Sequence, residues 1–158
     1  MAGKMMGKTG TPPSLALQDS LGSYGALGEI KTGSEYRKET IENIKRDLRN
    51  WMANDTFEPI RGKQIDMAIV IKCSPYRMKK QDTDNIAKVI CDALKERKGD
   101  SRYLFDDDSQ IIRLLVWKIL RKENSSYDTN GYDISFRIHD SSKPMKLDSS
   151  MDWLVLRR

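Results

Sequence analysis

Apolar residues recur every three or four positions in two segments, and this spacing predicts two amphipathic helices. The first helix spans residues 34–55, with Ser34 as a suitable N-cap and an apolar stripe of Ile41, Ile44, Leu48, Trp51 and Met52. The second spans residues 84–97, and its apolar stripe is Ile86, Val89, Ile90, Ala93 and Leu94.

Period-two patterns predict a small sheet. Residues 65–73 carry apolar groups on both faces, which is typical of a central strand. Residues 110–121 predict a long buried strand, although the pattern alone also permits a helix. Residues 132–138 alternate as a half-exposed strand does, and Asn130–Gly131 before them predicts a hairpin with the preceding strand.

These elements favour an α+β fold in which two main helices pack on a small mixed or antiparallel sheet. Residues 1–33 hold seven of the ten glycines and are expected to form a flexible or loosely packed arm. Residues 34–140 are expected to form the folded domain. Residues 141–158 are expected to be a tail, with 151–158 as an extra strand or a dimer arm.

Composition narrows the function only slightly. A net charge of +5 over 158 residues is compatible with nucleic acid but does not require it. The single histidine, His139, is expected on a strand surface and argues against histidine metal clusters and Ser–His–Asp catalysis. Cys73 and Cys91 indicate buried thiols in a reducing cytoplasm. There is no apolar run of about 18 residues, and therefore no predicted membrane span.

The second helix carries an acidic and basic stripe opposite its apolar face. At 100° per residue, Asp84, Lys88 and Asp92 fall within about 80° of one another. Asp82 lies two residues before Asp84 and projects to the same side of an extended chain. Each residue also has a structural interpretation, with Asp84 as an N-cap and Lys88–Asp92 as an ion pair.

A run of three carboxylates, Asp106–Asp108, is harder to explain by structure alone, because like charges repel. A divalent cation would relieve that repulsion, and Mg²⁺ prefers oxygen ligands. Asp82, Asp84 and one member of the triplet would form a Mg²⁺ site, with Mn²⁺ as an alternative metal. Lys88 would stabilise charge on a bound phosphodiester or orient the attacking water.

This site makes a prediction about strand direction. The helix carries the chain roughly 20 Å from the first aspartates, and residues 99–105 are long enough to return it. Strand 110–121 would then run antiparallel to strand 65–73. A parallel arrangement would instead leave the two acidic groups at opposite ends of the sheet.

The order Asp82-x-Asp84-Asn85-x-x-Lys88-x-x-x-Asp92-Ala93-Leu94, followed by Asp107-Asp108-Ser109-Gln110, resembles the RusA-type Holliday junction resolvases over residues 64–120. The resemblance implies a RusA-like fold and a Mg²⁺-dependent endonuclease, usually phage- or prophage-borne. It implies a homodimer that acts on four-way DNA junctions in recombination and repair.

The resemblance also implies residue roles. Asp82, Asp84 and Asp108 would be the metal ligands and Lys88 the catalytic lysine. The supporting positions would be Asn85, Asp92, Asp107 and Gln110. From the residues alone, Asp106 remains an alternative to Asp108.

Cations precede the motif and predict a DNA-binding rim, for which a solvated loop is the structural alternative. These residues are Lys72, Arg77, Lys79 and Lys80. Two other functions are weighed against the nuclease. One is a non-catalytic junction-binding protein, and the other is a different Mg²⁺-dependent enzyme with a DxD motif, such as a nucleotide-sugar transferase.

Overall fold

A four-stranded mixed sheet and two long helices form the centre of the protein in a computed structural model that describes residues 15–100, 102–120 and 131–149. The strands are β1 (Leu15–Leu17), β2 (Gly22–Leu27), β3 (Ile65–Cys73), β4 (Ile111–Leu120), β5 (Gly131–Ile138) and β6 (Leu147–Ser149). The helices are α1 (Arg37–Asp55), α2 (Pro75–Lys80) and α3 (Thr83–Leu94), and Ser34–Tyr36 and Asp108–Gln110 are 3-10 turns. This is the predicted α+β class, with the two main helices where the periodicity placed them.

The sheet order is β2-β5-β3-β4, and β1 pairs with β6 in a separate two-stranded sheet. Strand β5 is antiparallel to both β2 and β3, whereas β4 is parallel to β3. Because parallel neighbours need a long crossover, residues 74–110, which include α2 and α3, carry the chain back to the start of β4. The predicted antiparallel direction of β4 against β3 is therefore wrong.

The helices cover one face of the sheet. Alternate residues of β3, beginning with Ile65 and Met67, are fully buried against Ile44 and Leu48 of α1 and Ile86 of α3. Each such side chain contributes about 1.5–3 kcal/mol by leaving water. Helix α1 begins at Arg37 with Tyr36 as its N-cap, so the expected N-cap at Ser34 is two residues early.

The opposite face of the sheet is buried but polar. Lys72 Nζ lies 3.3 Å from Asp133 Oδ2, and the same oxygen accepts a hydrogen bond from the Leu15 amide at 3.1 Å. Ser135 Oγ accepts one from the Leu17 amide at 2.7 Å. Strand β1 is therefore attached over this face by two side chains of β5, one of which also pairs with Lys72 of β3.

An ion cluster closes this face at the start of β3. Asp66 is fully buried, and its carboxylate lies 2.7 Å from Arg113 Nη2, 3.2 Å from Arg137 Nε and 2.7 Å from His139 Nδ1. Burial raises the pKa of Asp66, but the hydrogen bonds from Arg113, His139 and Arg137 outweigh it and lower the pKa to about 2. His139 is thus a member of this cluster rather than a plain surface residue.

Both chain ends contribute strands. Residues 15–33 are not a loose arm, because β2 pairs with β5 along six residues and Tyr24 belongs to the core. The tail after residue 140 contains β6, which pairs with β1. The strand or dimer arm expected at 151–158 lies outside the described residues.

The predicted hairpin of β4 with β5 is wrong, because β3 lies between them. Their burial is also the reverse of the prediction. Strand β5 is buried on both faces at a central position, whereas β4 is an edge strand with exposed apolar residues. Among the described helices, none has the length and apolar character needed to cross a membrane.

Candidate active site

Helix α2 (Pro75–Lys80) carries three of the four predicted rim residues, so this basic segment is a helix rather than a loop. Ser74 caps it by accepting a hydrogen bond from the Arg77 amide at 3.3 Å, and Pro75 occupies the first turn, where its missing N–H costs nothing. Helix α2 delivers the chain from the end of β3 to the start of α3, where the first two motif aspartates lie.

Gln81 anchors the residue just before Asp82. It is buried, and its amide nitrogen donates to the Ile30 carbonyl at 2.9 Å. Its oxygen accepts from the Thr32 amide at 3.0 Å and from Arg77 Nη1 at 3.1 Å. Gln81 is not among the predicted site residues, because its only signal in the sequence is its place next to the motif.

Lys118 of β4 holds the same segment from the other side. Its ammonium donates to the Met78 carbonyl at 2.9 Å and to the Gln81 carbonyl at 2.5 Å. These carbonyls lie at the end of α2, where backbone oxygens lack helical partners. The end of β4 therefore lies beside the chain that enters α3.

Asp82 is the N-cap residue of α3, yet its side chain makes no capping hydrogen bond. Asp84, Asn85 and Lys88 follow on the exposed side of the helix, opposite the buried stripe that contains Ile86. The start of α3 thus presents two exposed carboxylates, with an ammonium one turn further along, as the helical spacing predicted.

Asp92 and Asp108 lie at the other end of α3. Asp92 forms an ion pair with Arg37, and Lys95 Nζ lies 3.4 Å from Asp92 Oδ1 and 3.5 Å from Asp108 Oδ2. The Asp108 charge and then Asp92 raise the pKa of Lys95. Asp92 therefore pairs with Arg37 and Lys95, whereas the ion-pair interpretation had predicted Lys88 as its partner.

Gln110 fixes the turn that carries the three consecutive aspartates. Its oxygen accepts hydrogen bonds from the amides of Asp106 at 2.7 Å and Asp107 at 3.1 Å. Its nitrogen donates to the carbonyls of Ile60 at 3.2 Å and Lys63 at 2.8 Å. The turn is thereby attached to the chain ahead of β3.

The three aspartates have different surroundings. Asp106 accepts a hydrogen bond from the Gly62 amide at 3.2 Å, and Asp107 caps the 3-10 turn through the Ser109 amide. Hydrogen bonding from the Ser109 side chain, and then from its amide, lowers the pKa of Asp107. The Asp108 side chain is 48% exposed. Asp106 and Asp107 thus have partners within or beside the turn, whereas Asp108 is exposed and has Lys95 as its partner.

The two acidic groups do not meet within one chain. Twelve helical residues separate them, a distance of about 18 Å. Across residues 15–100, 102–120 and 131–149, no three His, Cys, Asp or Glu side chains are close enough to hold a metal together. The expectation of their convergence within one chain is wrong because β4 runs parallel to β3 and starts at the opposite end of the sheet.

The four residues of the predicted DNA-binding rim are placed differently. Lys79 and Lys80 are exposed beside Asp82. Arg77 is partly buried and lies 3.5 Å from Glu29. Lys72 is buried against Asp133, so its geometry does not favour the expected phosphate contact.

Comparison with protein families gives an independent result. The family model described as endodeoxyribonuclease RusA matches residues 28–127, which is more than half of the chain. No curated protein matches the chain. The family implies Holliday junction resolvase activity on branched DNA and a general dependence on divalent metal, and it leaves no support for a sugar-transferring DxD enzyme. The chain therefore belongs to the RusA family of endodeoxyribonucleases and is an endonuclease.

Proposed function

We propose that this endonuclease is a Mg²⁺-dependent homodimer that resolves four-way DNA junctions by paired symmetric nicks during recombination and repair in the cytoplasm. The observation that carries the proposal is the exposed group of Asp82, Asp84 and Lys88 at the start of α3. Buried Gln81 holds this group in place, and a basic surface adjoins it.

The first two aspartates fit a hard cation. Asp82 makes no capping hydrogen bond, and both carboxylates are exposed, so neither is committed to another partner by the helix. Mg²⁺ commonly takes one or two carboxylates and completes its shell with water and substrate phosphate, and Mn²⁺ accepts the same oxygen ligands. When bound, the cation supplies polarisation of a phosphoryl oxygen and a more acidic water.

Lys88 would stabilise the negative charge of the phosphate undergoing cleavage, because its ammonium follows Asp84 by one helical turn. Asn85 shares the exposed side of the helix with it. Lys79 and Lys80 would bind neighbouring phosphates. Their contribution would decline with added salt, since each neutralised phosphate releases counterions.

Asp108 would contribute to the metal site through the dimer. Strand β4 forms an edge of the sheet and exposes Ile112, Leu114, Trp117 and Leu120. If two β4 edges pair antiparallel about a two-fold axis, the start of one strand meets the end of the other. The end of β4 lies beside Asp82 through Lys118, and Asp108 stands just ahead of the start. Such pairing would bring Asp108 of the partner subunit towards Asp82 and complete the set of three carboxylates.

A cleavage assay tests the function directly. Purified protein is incubated with end-labelled four-way junction or linear duplex, in Mg²⁺ or in EDTA. We expect symmetric nicks in the junction only with Mg²⁺. A shifted but uncut junction would instead support the non-catalytic junction-binding alternative, and equal cutting of linear duplex would contradict junction selectivity.

A further inference from the structure

Four side chains beside Asp82 alternate between cation and aromatic ring, and we call them the cation–aromatic ladder. Lys31 Nζ lies 4.8 Å from the centre of the Tyr36 ring. The Arg77 guanidinium carbon lies 5.7 Å from the Tyr36 ring and 5.5 Å from the Tyr76 ring. These distances are within the range in which a cation is attracted to a ring face.

The ladder is held at a fixed place relative to Asp82. Arg77 lies 3.5 Å from a Glu29 carboxylate oxygen and donates to Gln81, the residue next to Asp82. Gln81 in turn bonds to the segment ahead of Tyr36 through Thr32. The four side chains of the ladder therefore come from separate parts of the chain, and the hydrogen bonds of Gln81 connect them to the start of α3.

Tyr76 is the outer end of the ladder. It is 62% exposed, which leaves most of a large ring in water on the surface that carries Lys79 and Lys80. Packing in the core therefore does not explain why a large aromatic ring lies at this position. An exposed aromatic ring next to cations is the arrangement on which unpaired nucleic-acid bases stack while neighbouring phosphates are neutralised.

We infer that the ladder binds a base that is unstacked at the branch point of DNA, with Tyr76 as the stacking surface. This inference rests on the proposed function and deepens it. In a linear duplex the bases stay stacked on one another, so no base is available to Tyr76. A branch point or an unpaired bubble exposes an unstacked base that Tyr76 could bind. The ladder would therefore add affinity for branched DNA beyond the phosphate contacts, which linear duplex shares.

The test compares Tyr76→Ala and Tyr76→Phe with Lys79→Ala as the matched control. Binding of four-way junction, bubble duplex and linear duplex is measured by fluorescence anisotropy with Ca²⁺ in place of Mg²⁺. Because one stacked base is worth about 1–3 kcal/mol, Tyr76→Ala should weaken junction and bubble binding by about 5- to 150-fold. Linear duplex binding should change less than about two-fold, and Tyr76→Phe should retain all three affinities.

Lys79→Ala should weaken all three DNAs to a similar extent, because a phosphate contact does not depend on base stacking. An equal loss for all three DNAs in Tyr76→Ala, or no loss for any, would overturn the inference. The bubble measurement needs no cleavage. If wild-type protein fails to cut junctions, the proposed function fails while the preference of Tyr76 for unpaired bases is still decided.

Discussion

At the scale of single residues, the start of α3 departs from ordinary helix capping. An aspartate at the N-cap usually accepts an amide hydrogen bond, which contributes about 1 kcal/mol to stability. Asp82 stands at that position without the bond. Its carboxylate is therefore free of a local structural role, as a metal ligand should be.

Replacing Asp82 with asparagine should separate cutting from folding. We expect Asp82→Asn to lower junction cleavage by about 100-fold or more, because the neutral amide is a poor ligand for Mg²⁺. Junction binding in Ca²⁺ should stay within about three-fold. Glu42→Gln, the same kind of change on an exposed face of α1, serves as the control. Cleavage above a tenth of the wild-type rate would rule out Asp82 as a ligand.

Gln81 should act as a positioning residue. Gln81→Ala leaves the Ile30 carbonyl and the Thr32 amide without partners, so we expect a loss of about 1–3 kcal/mol in the free energy of unfolding. Cleavage at saturating junction should also fall, since the chain entering Asp82 loosens. Urea denaturation and single-turnover cleavage measure the two effects, and exposed Gln64→Ala is the control for the same change. Unchanged cleavage in a destabilised Gln81→Ala protein would make the role purely structural.

At the scale of elements, the Asp66 cluster couples the start of β3 to pH. The pKa of Asp66 lies below its ordinary value near 4, so its contribution to stability is complete above that pH and is lost as pH falls towards about 2. Asp66→Asn should lack this slope. It should also be about 3 kcal/mol less stable near neutral pH, because buried Arg137 loses its carboxylate.

The measurement is the free energy of unfolding of wild type and Asp66→Asn between pH 2 and pH 7. The difference between the two curves isolates Asp66 from the other carboxylates that titrate in the same range. A constant difference across that range would show that Asp66 does not bind the proton responsible.

Sequence periodicity predicted α1, α3 and β3 well because each buries a continuous stripe of its own residues. It missed α2, which has only six residues, three of them basic. It also missed β1 and β2, whose partners lie more than 100 residues away in β6 and β5. The predicted direction of β4 relative to β3 was wrong for a related reason. The direction of a strand depends on the route of the crossover and not on any local pattern.

The same limit applies to the site. The spacing of Asp82, Asp84 and Lys88 on one helix turn was sufficient to predict their shared exposed side. The anchoring of Gln81 depends on Ile30 and Thr32, about 50 residues away, and no local pattern announces it. Lys72 was predicted to bind DNA because its partner Asp133, on a neighbouring strand, could not be identified without the sheet order.

At the scale of the whole molecule, the proposed dimer predicts complementation between two inactive proteins. If each site combines Asp82 of one copy with Asp108 of the other, a mixed dimer of Asp82→Asn and Asp108→Asn has one doubly defective site and one intact site. Mixing and re-equilibrating the two variants should therefore restore nicking of one junction strand, at about a quarter of the nicking capacity of wild type, because about half of the dimers are mixed and each has one intact site of two.

Each variant alone should remain inactive, and a mixture of Asp82→Asn with Asp84→Asn should stay inactive as well, because both changes then affect the same half of the site. Analytical ultracentrifugation establishes that the proteins associate. Dimers without restored nicking would contradict a site that combines Asp82 of one copy with Asp108 of the other.

The length of α3 has a consequence for when the proposed dimer could cut DNA. One helix keeps the two acidic groups about 18 Å apart, so under the proposed shared site a lone copy would hold an incomplete metal site and would not cleave DNA. Newly synthesised protein would be harmless until its concentration allowed copies to meet. DNA cleavage would then begin only as the protein concentration allowed dimers to form, and its rate would rise more steeply than in proportion to that concentration.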